Sequence, residues 1–240
     1  MSFPILTDAS TRIDLVDWGI QADALAGCSY STGRLLHKGP QNRPETGIWV
    51  VTPGTWRLSI PRDELCHFVA GSACYMRDNG ELIEVAAGSC VHFPSGWIGV
   101  CMVRSTLRNV YYLSDLESNP RDAEMTTPVL HQPLSLADTE LKDWGPITTM
   151  IDGQSQTSGV LLHKGQHGEN ETGIWQCTPG FWRCEVTRDE FCHFMRGRCT
   201  YISDDGEVIE ITPDTIAFFR QGWTGTCLVT DTVRKVYMIR

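Results

Sequence analysis

An arginine, a glutamate and a cysteine recur at the same spacing in both halves of this 240-residue chain. The first set is Arg57, Glu64 and Cys66, and the second set is Arg183, Glu190 and Cys192. An arginine fork binds a carboxylate through two hydrogen bonds, and a glutamate beside it can act as a general acid or base. The pattern therefore predicts a site for a small carboxylate ligand in each half.

Further residues belong to the same predicted sites. Alternate residues of a strand share a face, which directs Ser59 inward with Arg57 and directs Glu185 inward with Arg183. A tryptophan close to glycines, Trp97 or Trp223, could stack on the ligand. The cysteines could act as nucleophiles, but a neighbouring glutamate raises the pKa of a thiol and an inward cysteine usually fills apolar space.

A structural interpretation competes with this functional one. An inward arginine that faces an inward glutamate in each half forms a buried ion pair, which is costly to break from one side. Buried charges are normally paired for reasons of folding alone. Under this interpretation Arg57 and Glu64, and likewise Arg183 and Glu190, only hold the fold together.

The two halves are copies of one segment. The run Glu45-Thr46-Gly47-Ile48-Trp49 returns as Glu171-Thr172-Gly173-Ile174-Trp175, and the same spacing then holds to the C terminus. Self-similarity at a fixed register indicates duplication of a structural unit. The chain therefore provides its own comparison between two related sequences.

Composition narrows the possible partners. The net charge of -9 argues against nucleic acid and against anionic membrane surfaces, because both are bound through excess lysine and arginine. The N-terminal sequence lacks the pattern of a signal peptide, and no apolar stretch approaches membrane length. We expect a soluble, cytoplasmic protein whose partner is a small molecule.

Short strands dominate the predicted elements. Segments rich in β-branched and aromatic residues are separated by turn dipeptides such as Pro53-Gly54 and Asn79-Gly80. Regular short strands without a helical period indicate an all-β sandwich or barrel. A polar, proline-bearing stretch separates the copies, which predicts domains at 1–116 and 135–240 with a linker at 117–134.

Two glycine-containing patterns resemble the signatures of the cupin family. Gly88, Pro94-Ser95-Gly96 and Gly99 have the spacing of the second signature, and Glu64 with Gly71 matches the end of the first. The motifs Thr-Gly-Ile-Trp, Trp-Arg and Gly-Trp-x-Gly are similar to the small-cupin branch named after the ureidoglycine aminohydrolase cupin domain. The resemblance implies a bicupin with two tandem RmlC-like double-stranded β-helix jelly rolls.

The resemblance also implies where a metal would bind. Cupin metal ligands are a His-x-His pair, a glutamate four or five residues later, and a later histidine. With Glu64 as the glutamate and a spacing of five, Arg57 and Ser59 replace the pair and Gly99 replaces the last histidine; the second copy has Arg183, Glu185, Glu190 and Gly225. A guanidinium cannot lose its proton and repels a cation. We therefore expect no metal and no cofactor.

Three functions stay open from the sequence. The first is a metal-free small-molecule site inside one barrel, binding or catalytic, with the second copy favoured because it carries more ionisable groups. The second is a structural or regulatory bicupin with filled barrels. The third is a metal-dependent amidohydrolase resembling ureidoglycine aminohydrolase. Since cupins host many activities on one scaffold, the resemblance does not choose between them.

An apolar outer face predicts how the domains associate. Leu65 and Val69 flank His67, and Phe191 and Met195 flank His193, on the face opposite the predicted site. Such faces must be covered, and duplicated domains can reproduce the contact of an ancestral dimer. The sequence predicts an intrachain pseudo-dimer and leaves a homodimer possible.

Overall fold

A computed structural model describes residues 5–11, 14–40, 44–114, 129–131, 140–164 and 170–240. The chain divides into two compact units, one of Ser10–Leu136 and one of Met1–Ala9 with Ala137–Arg240. The regular elements of the described residues are all strands, which form two ten-stranded curled sheets. The predicted all-β fold of two tandem cupin-like jelly rolls is therefore confirmed. None of the described residues forms a helix that is long and apolar enough to cross a membrane.

The N-terminal sheet contains ten strands. They are β2 (Val16–Ile20), β3 (Ala24–Ala26), β4 (Tyr30–Lys38), β5 (Glu45–Val51), β6 (Gly54–Ile60), β7 (Glu64–Arg77), β8 (Leu82–Ala86), β9 (Cys90–Phe93), β10 (Trp97–Leu113) and β11 (Val129–His131). The order is β11-β9-β7-β10-β5-β4-β2, while β6 pairs with β10 and β3, and β8 pairs with β7. All of the pairings are antiparallel, as expected for a jelly roll.

The C-terminal sheet repeats this plan. Its strands are β1 (Ile5–Leu6), β12 (Lys142–Pro146), β13 (Met150–Asp152), β14 (Gln156–Lys164), β15 (Glu171–Cys177), β16 (Gly180–Glu185), β17 (Glu190–Ser203), β18 (Val208–Ile211), β19 (Thr215–Phe219) and β20 (Thr224–Ile239). The order is β1-β19-β17-β20-β15-β14-β12, while β16 pairs with β20 and β13, and β18 pairs with β17. The duplication seen in the sequence is therefore a duplication of topology.

Two long strands curl each sheet into a barrel. In the N-terminal unit β7 and β10 pair over most of their length, with register shifts near Ser105 and Arg108. The bend in β7 requires Gly71, whose φ is +82° and whose Cβ would lie 2.2 Å from the carbonyl oxygen of Thr106. Gly197 repeats this in β17 with a φ of +84°. The glycine of the first signature therefore marks the bend that closes the barrel.

Each sheet receives an edge strand that the sequence boundaries did not assign to it. Ile5 and Leu6 pair with Ala217 and Ile216 of the C-terminal sheet, although they lie within the predicted domain 1–116. Val129–His131 pairs with β9 of the N-terminal sheet, although it lies within the predicted linker. The rest of the linker falls largely outside the described residues. Propensity patterns identify a strand but not its partner, which is why these two pairings were not predicted.

Each barrel has its own apolar core. Residues from both long strands contribute inward side chains, among them Cys66, Phe68 and Cys101 in the first copy and Cys192, Phe194 and Cys227 in the second. All ten cysteines are free thiols and most are buried. The histidines of the predicted interface, His67 and His193, are buried as well. The packing of the two domains as a pseudo-dimer stays a prediction.

Candidate functional site

A cavity of about 610 Å³ lies inside the C-terminal barrel. Its wall is rich in aromatic rings, which belong to Trp144, Trp175, Trp182, Trp223, Tyr201 and Tyr237. Ligand pockets in proteins commonly combine such apolar walls with a few polar groups. The polar groups of this cavity are therefore the candidate functional residues.

Lys235 is the central polar group of the cavity. Its Nζ atom lies 2.7 Å from Oε1 of Glu190 and 3.3 Å from Sγ of Cys192. It also lies 4.9 Å from the ring centroid of Trp175, within the range of a cation–π contact. Burial alone would lower the pKa of Lys235, but the neighbouring Cys192 and Glu190, which accept its hydrogen bonds, raise it above its usual value. The site thus holds a buried ammonium.

A second carboxylate lines the cavity on β15. The hydroxyl of Tyr237 donates a hydrogen bond of 2.9 Å to Oε1 of Glu171. Burial, followed by the effect of Glu171, raises the pKa of Tyr237, so this tyrosine is a hydrogen-bond donor at neutral pH. The equivalent bond in the N-terminal barrel joins Tyr111 and Glu45 over 2.8 Å. Both copies therefore keep a tyrosine–glutamate pair at the same place.

The cysteines of the predicted sites are buried thiols. Burial and the neighbouring Glu64 raise the pKa of Cys66 well above its usual value. Burial and Glu190 do the same for Cys192, although Lys235 opposes the shift. Because the thiolate is the nucleophilic form, this environment supports the role of apolar filler with a weak S–H donor, which Cys66 provides to Glu64 over 3.3 Å.

The predicted inward arginines are exposed and pair with aspartates. The Arg57 guanidinium makes hydrogen bonds of 2.9 and 3.2 Å to the Asp78 carboxylate, and both side chains are about half exposed. Arg183 pairs in the same two-pronged way with Asp204. The prediction that these arginines form ion pairs with Glu64 and Glu190 was therefore wrong.

The error follows from the phase of one strand. Trp56 pairs with Cys101 and Leu58 pairs with Gly99, so these positions share the inward face. Arg57 and Ser59 of β6, like Arg183 and Glu185 of β16, therefore lie on the opposite face and are exposed. Arg183 and Glu185 nevertheless border the C-terminal cavity. A shift of one residue moves every side chain of a strand to the other face. The alternation predicted for Glu64 and Cys66 on β7 is confirmed.

Arg57→Ala tests the corrected placement. An exposed arginine–aspartate pair contributes less than about 1 kcal/mol in most measured cases. We expect the free energy of unfolding of this variant, measured by urea titration, to stay within that margin of the wild type. A loss of several kcal/mol would instead indicate that the guanidinium is buried against Glu64.

The two twin tryptophans differ in exposure. A Cβ atom added to Gly99 would lie 2.5 Å from the ring of Trp97, and Gly225 has the same relation to Trp223 at 2.6 Å. Each ring thus occupies the space above a glycine of the second signature. Trp97 is only 1% exposed and packs in the core against Phe93. Trp223 is partly exposed and lines the C-terminal cavity, so it is the one placed to stack on a ligand.

The N-terminal cavity is smaller, at about 280 Å³. Its lining includes Glu64, Glu45, Asn109 and Trp49. Asn109 lies opposite Trp49 in the pairing of β10 with β5. Lys235 lies opposite Trp175 in the equivalent pairing of β20 with β15. Burial raises the pKa of Glu64 to about 7. The two barrels therefore differ in the charge at one central position.

Several of these residues were missed in the sequence. Glu45 and Glu171 begin the identical pentapeptide that revealed the repeat, and strand alternation places them on the face of Trp49 and Trp175. That signal was available but was not used. Lys235 carries a different signal, since it is a difference between the copies within an otherwise well-matched strand.

The inward residues do not fit a cupin-type metal. The cupin pattern also allows a spacing of four between the second histidine and the glutamate. With that spacing the positions of the histidine pair are the inward Leu58 and Ile60 in the first copy and Cys184 and Val186 in the second. Gly99 and Gly225 supply no donor, and the ammonium of Lys235 already lies against Glu190. Within the described ranges, no group of three or more histidine, cysteine, aspartate or glutamate side chains could hold a metal ion. Catalytic zinc sites, for comparison, have three protein ligands.

Comparisons with known structures agree with this architecture. A protein of unknown function from Pseudomonas syringae pv. tomato aligns over 100% of both chains with a TM-score of 0.75 and 16% identity. The protein Ylba from E. coli aligns over 98% of this chain and 89% of its own with a TM-score of 0.60 and 10% identity. A variant of oxalate decarboxylase from Bacillus subtilis aligns over 100% of this chain and 77% of its own, with a TM-score of 0.53 and 11% identity. At these identities the likeness shows the fold alone.

Sequence comparison identifies the family. No curated protein sequence matches the chain. The EutQ-like cupin domain matches it twice, at residues 38–111 and 164–237, which together make up more than half of its length. These two ranges contain the paired glutamates, the bend glycines and the Asn109/Lys235 position described above. The chain therefore belongs to the EutQ-like cupin family and carries one such domain in each half.

Proposed function

We propose that the C-terminal barrel binds a small uncharged organic ligand and does so without a metal ion. The observation that carries the proposal is the buried Lys235–Glu190 pair, with an N–O distance of 2.7 Å, at the wall of a cavity of about 610 Å³. An ammonium has three donors and no acceptor. It can therefore donate to Glu190 and still donate to a carbonyl oxygen of a ligand.

The charge balance favours an uncharged ligand over the carboxylate predicted from the sequence. That prediction rested on Arg183, which binds Asp204. The other cation of the lining, Lys235, is already balanced by Glu190, and Glu171 and Glu185 add two further carboxylates. A ligand carboxylate would add a further negative charge where burial makes repulsion stronger. A ligand amide or ester avoids this cost.

The walls of the cavity suit a planar or apolar body. Trp175, Trp182 and Trp223 present ring surfaces around the polar pair. Aromatic side chains bury a large area and stack favourably on other rings. Glu190 and Glu171 can accept N–H groups from the ligand, so the site supports a ligand that has a carbonyl oxygen, an N–H donor and an apolar part.

The alternative functions find less support. A structural bicupin with filled barrels does not account for the C-terminal cavity, which is more than twice as large as the N-terminal one. A metal-dependent amidohydrolase would need ligands that the inward positions Cys184, Val186, Glu190 and Gly225 do not provide. We therefore assign ligand binding to the C-terminal barrel, with Lys235 and Glu190 as its polar centre.

Benzamide and benzoate provide a matched test, since they have the same shape and differ in charge. We expect benzamide to bind the wild type saturably in calorimetric titration and benzoate to bind at least about tenfold more weakly. A hydrogen bond from a charged group is worth about 1.5 to 3 kcal/mol. Lys235→Met should therefore weaken benzamide by about tenfold or more.

Arg183→Ala is the control for the choice of cation. It removes the arginine that the sequence predicted. Arg183 borders the cavity, but its guanidinium is engaged by Asp204 and its side chain is about half exposed, so we expect benzamide affinity to stay unchanged. Equal or tighter binding of benzoate, or loss of binding in Arg183→Ala, would contradict the proposal and restore the arginine–carboxylate hypothesis. Absence of any benzamide binding by the wild type would also count against it.

A further inference from the structure

We propose that the N-terminal barrel binds a small primary alkylammonium ligand beside Glu64, at the place where the C-terminal barrel holds its own Lys235 ammonium. The inference does not depend on the function proposed for the C-terminal barrel. It rests on the comparison of two copies of one site, in which the central cation is present in one copy and absent from the other.

The C-terminal copy defines what this place in the barrel accommodates. The ammonium of Lys235 has an acid at 2.7 Å, the Glu190 Oε1 atom, and a thiol at 3.3 Å, the Cys192 Sγ atom. The ring of Trp175 lies 4.9 Å from it, centroid to Nζ. An acid, a thiol and an indole face thus surround a cation, which is the arrangement that binds ammonium groups in proteins.

The N-terminal copy keeps all three of these partners. Glu64, Cys66 and Trp49 line its cavity of about 280 Å³. Asn109 occupies the strand position that Lys235 has in the second copy. Its register partners on the neighbouring strands are Trp49 and Phe68, and those of Lys235 are the equivalent Trp175 and Phe194. The site therefore has the surroundings of an ammonium but an uncharged amide in the place of the lysine.

Asn109 adds a second, independent indication. Its side chain is 2% exposed, and its Oδ1 atom has no hydrogen-bond partner among the described residues. A buried acceptor without a hydrogen-bond partner destabilises the folded protein. A ligand N–H donor in the cavity would satisfy it.

The donors of a primary ammonium match these acceptors. Its three N–H groups can serve Glu64, Oδ1 of Asn109 and one further acceptor, while its charge faces the Trp49 ring. Burial raises the pKa of Glu64 to about 7, as expected for a carboxyl whose charge is poorly compensated. The nearby Glu45 is engaged by the Tyr111 hydroxyl at 2.8 Å and by Lys38 at 3.6 Å. Glu64 is thus the acid that would receive the ligand cation.

The experiment is calorimetric titration of the full chain with n-propylammonium chloride near pH 8, where both Glu64 and the amine are expected to be ionised. Sodium chloride at equal ionic strength corrects for salt, and n-propanol is the uncharged match. We expect saturable binding of one ammonium per chain and no saturable binding of n-propanol. Heats that do not saturate, or that equal those of sodium chloride, would overturn the proposal.

Three variants locate the site. Glu64→Gln should weaken the ammonium by at least about tenfold, because it removes a charged hydrogen-bond partner. Asn109→Lys should abolish binding, because it supplies the internal ammonium of the other copy. Lys235→Asn should add a second site in the C-terminal barrel. Far-ultraviolet circular dichroism confirms that each variant is folded.

The variants also separate the possible failures. Unchanged affinity in folded Asn109→Lys would overturn the proposal, whatever Lys235→Asn does. Should Asn109→Lys fail to fold, Glu64→Gln decides alone, since glutamine has nearly the same shape as the protonated acid. Arg57→Ala, which changes only the outside of the same barrel, should bind the ammonium as the wild type does.

Discussion

Lys235→Met is expected to lower the free energy of unfolding of the C-terminal domain by about 3 to 5 kcal/mol. The substitution removes the ammonium that lies 2.7 Å from Glu190, and it leaves that carboxylate without its partner inside the barrel. Removing one member of a buried ion pair is costly because the other charge is then desolvated without compensation. Urea unfolding followed by tryptophan fluorescence measures the effect.

The double variant Lys235→Met with Glu190→Leu is the matched control. An apolar pair of similar volume can replace a buried ion pair at little cost, so the double variant should be clearly more stable than Lys235→Met alone. If both lose the same amount, the loss comes from the packing of the lysine stem against Trp175 and Phe194 and not from a stranded charge.

Much of the fold could be predicted from the repeat and the strand pattern. Turn dipeptides and β-branched runs identified the strands, and Glu64 with Gly71 fixed the register of β7, so Cys66 was placed on the correct face. The register of β7 did not determine which residues of β6 face inward. The turn through Pro61–Asp63 separates it from β7, and the cupin pattern allows two spacings that differ by one residue. One residue is enough to exchange the inward Leu58 for the outward Arg57.

The candidate site was predicted in part. Glu64, Glu190 and Trp223 line the cavities as expected, but the cation among them was assigned to the wrong strand. Identical positions drew attention to the arginines, whereas Lys235 is one of the positions where the copies disagree. An arginine kept in both copies turned out to serve a repeated surface pair with Asp78 or Asp204. Residues that are identical in both copies therefore identify the shared framework. The difference between Asn109 and Lys235 identifies where the two sites have diverged.

This divergence gives the two barrels opposite chemical needs. Under the two proposals above, the C-terminal barrel supplies a cation to its own glutamate and keeps one N–H donor for a ligand carbonyl group. The N-terminal barrel supplies an amide instead, so its glutamate and the Asn109 oxygen are acceptors that need a donor. One duplicated scaffold can thus select ligands of different charge through a single position on the last long strand of each barrel.

Glu64→Gln is expected to change the pH dependence of stability in the N-terminal barrel. Burial raises the pKa of Glu64 from an ordinary 4.5 to about 7 in the folded protein, despite the opposing effects of Cys66 and Arg62. Between these two values the folded state keeps a proton that the unfolded state has released. The contribution of Glu64 to the free energy of unfolding is therefore fully present below about pH 4.5. It falls by about 3 kcal/mol in total as the pH rises to about 7.

The variant removes this loss because glutamine stays uncharged. Near pH 4 the wild type carries a protonated Glu64, which glutamine imitates, so the two proteins should unfold at nearly the same urea concentration. Near pH 8 the wild type must bury a carboxylate, and Glu64→Gln should then be more stable by about 3 kcal/mol. Other carboxyl groups titrate equally in both proteins and cancel in the difference. If the two stability curves run parallel from pH 4 to pH 8, Glu64 is ionised throughout this range and a cation of the protein, not a ligand, compensates it.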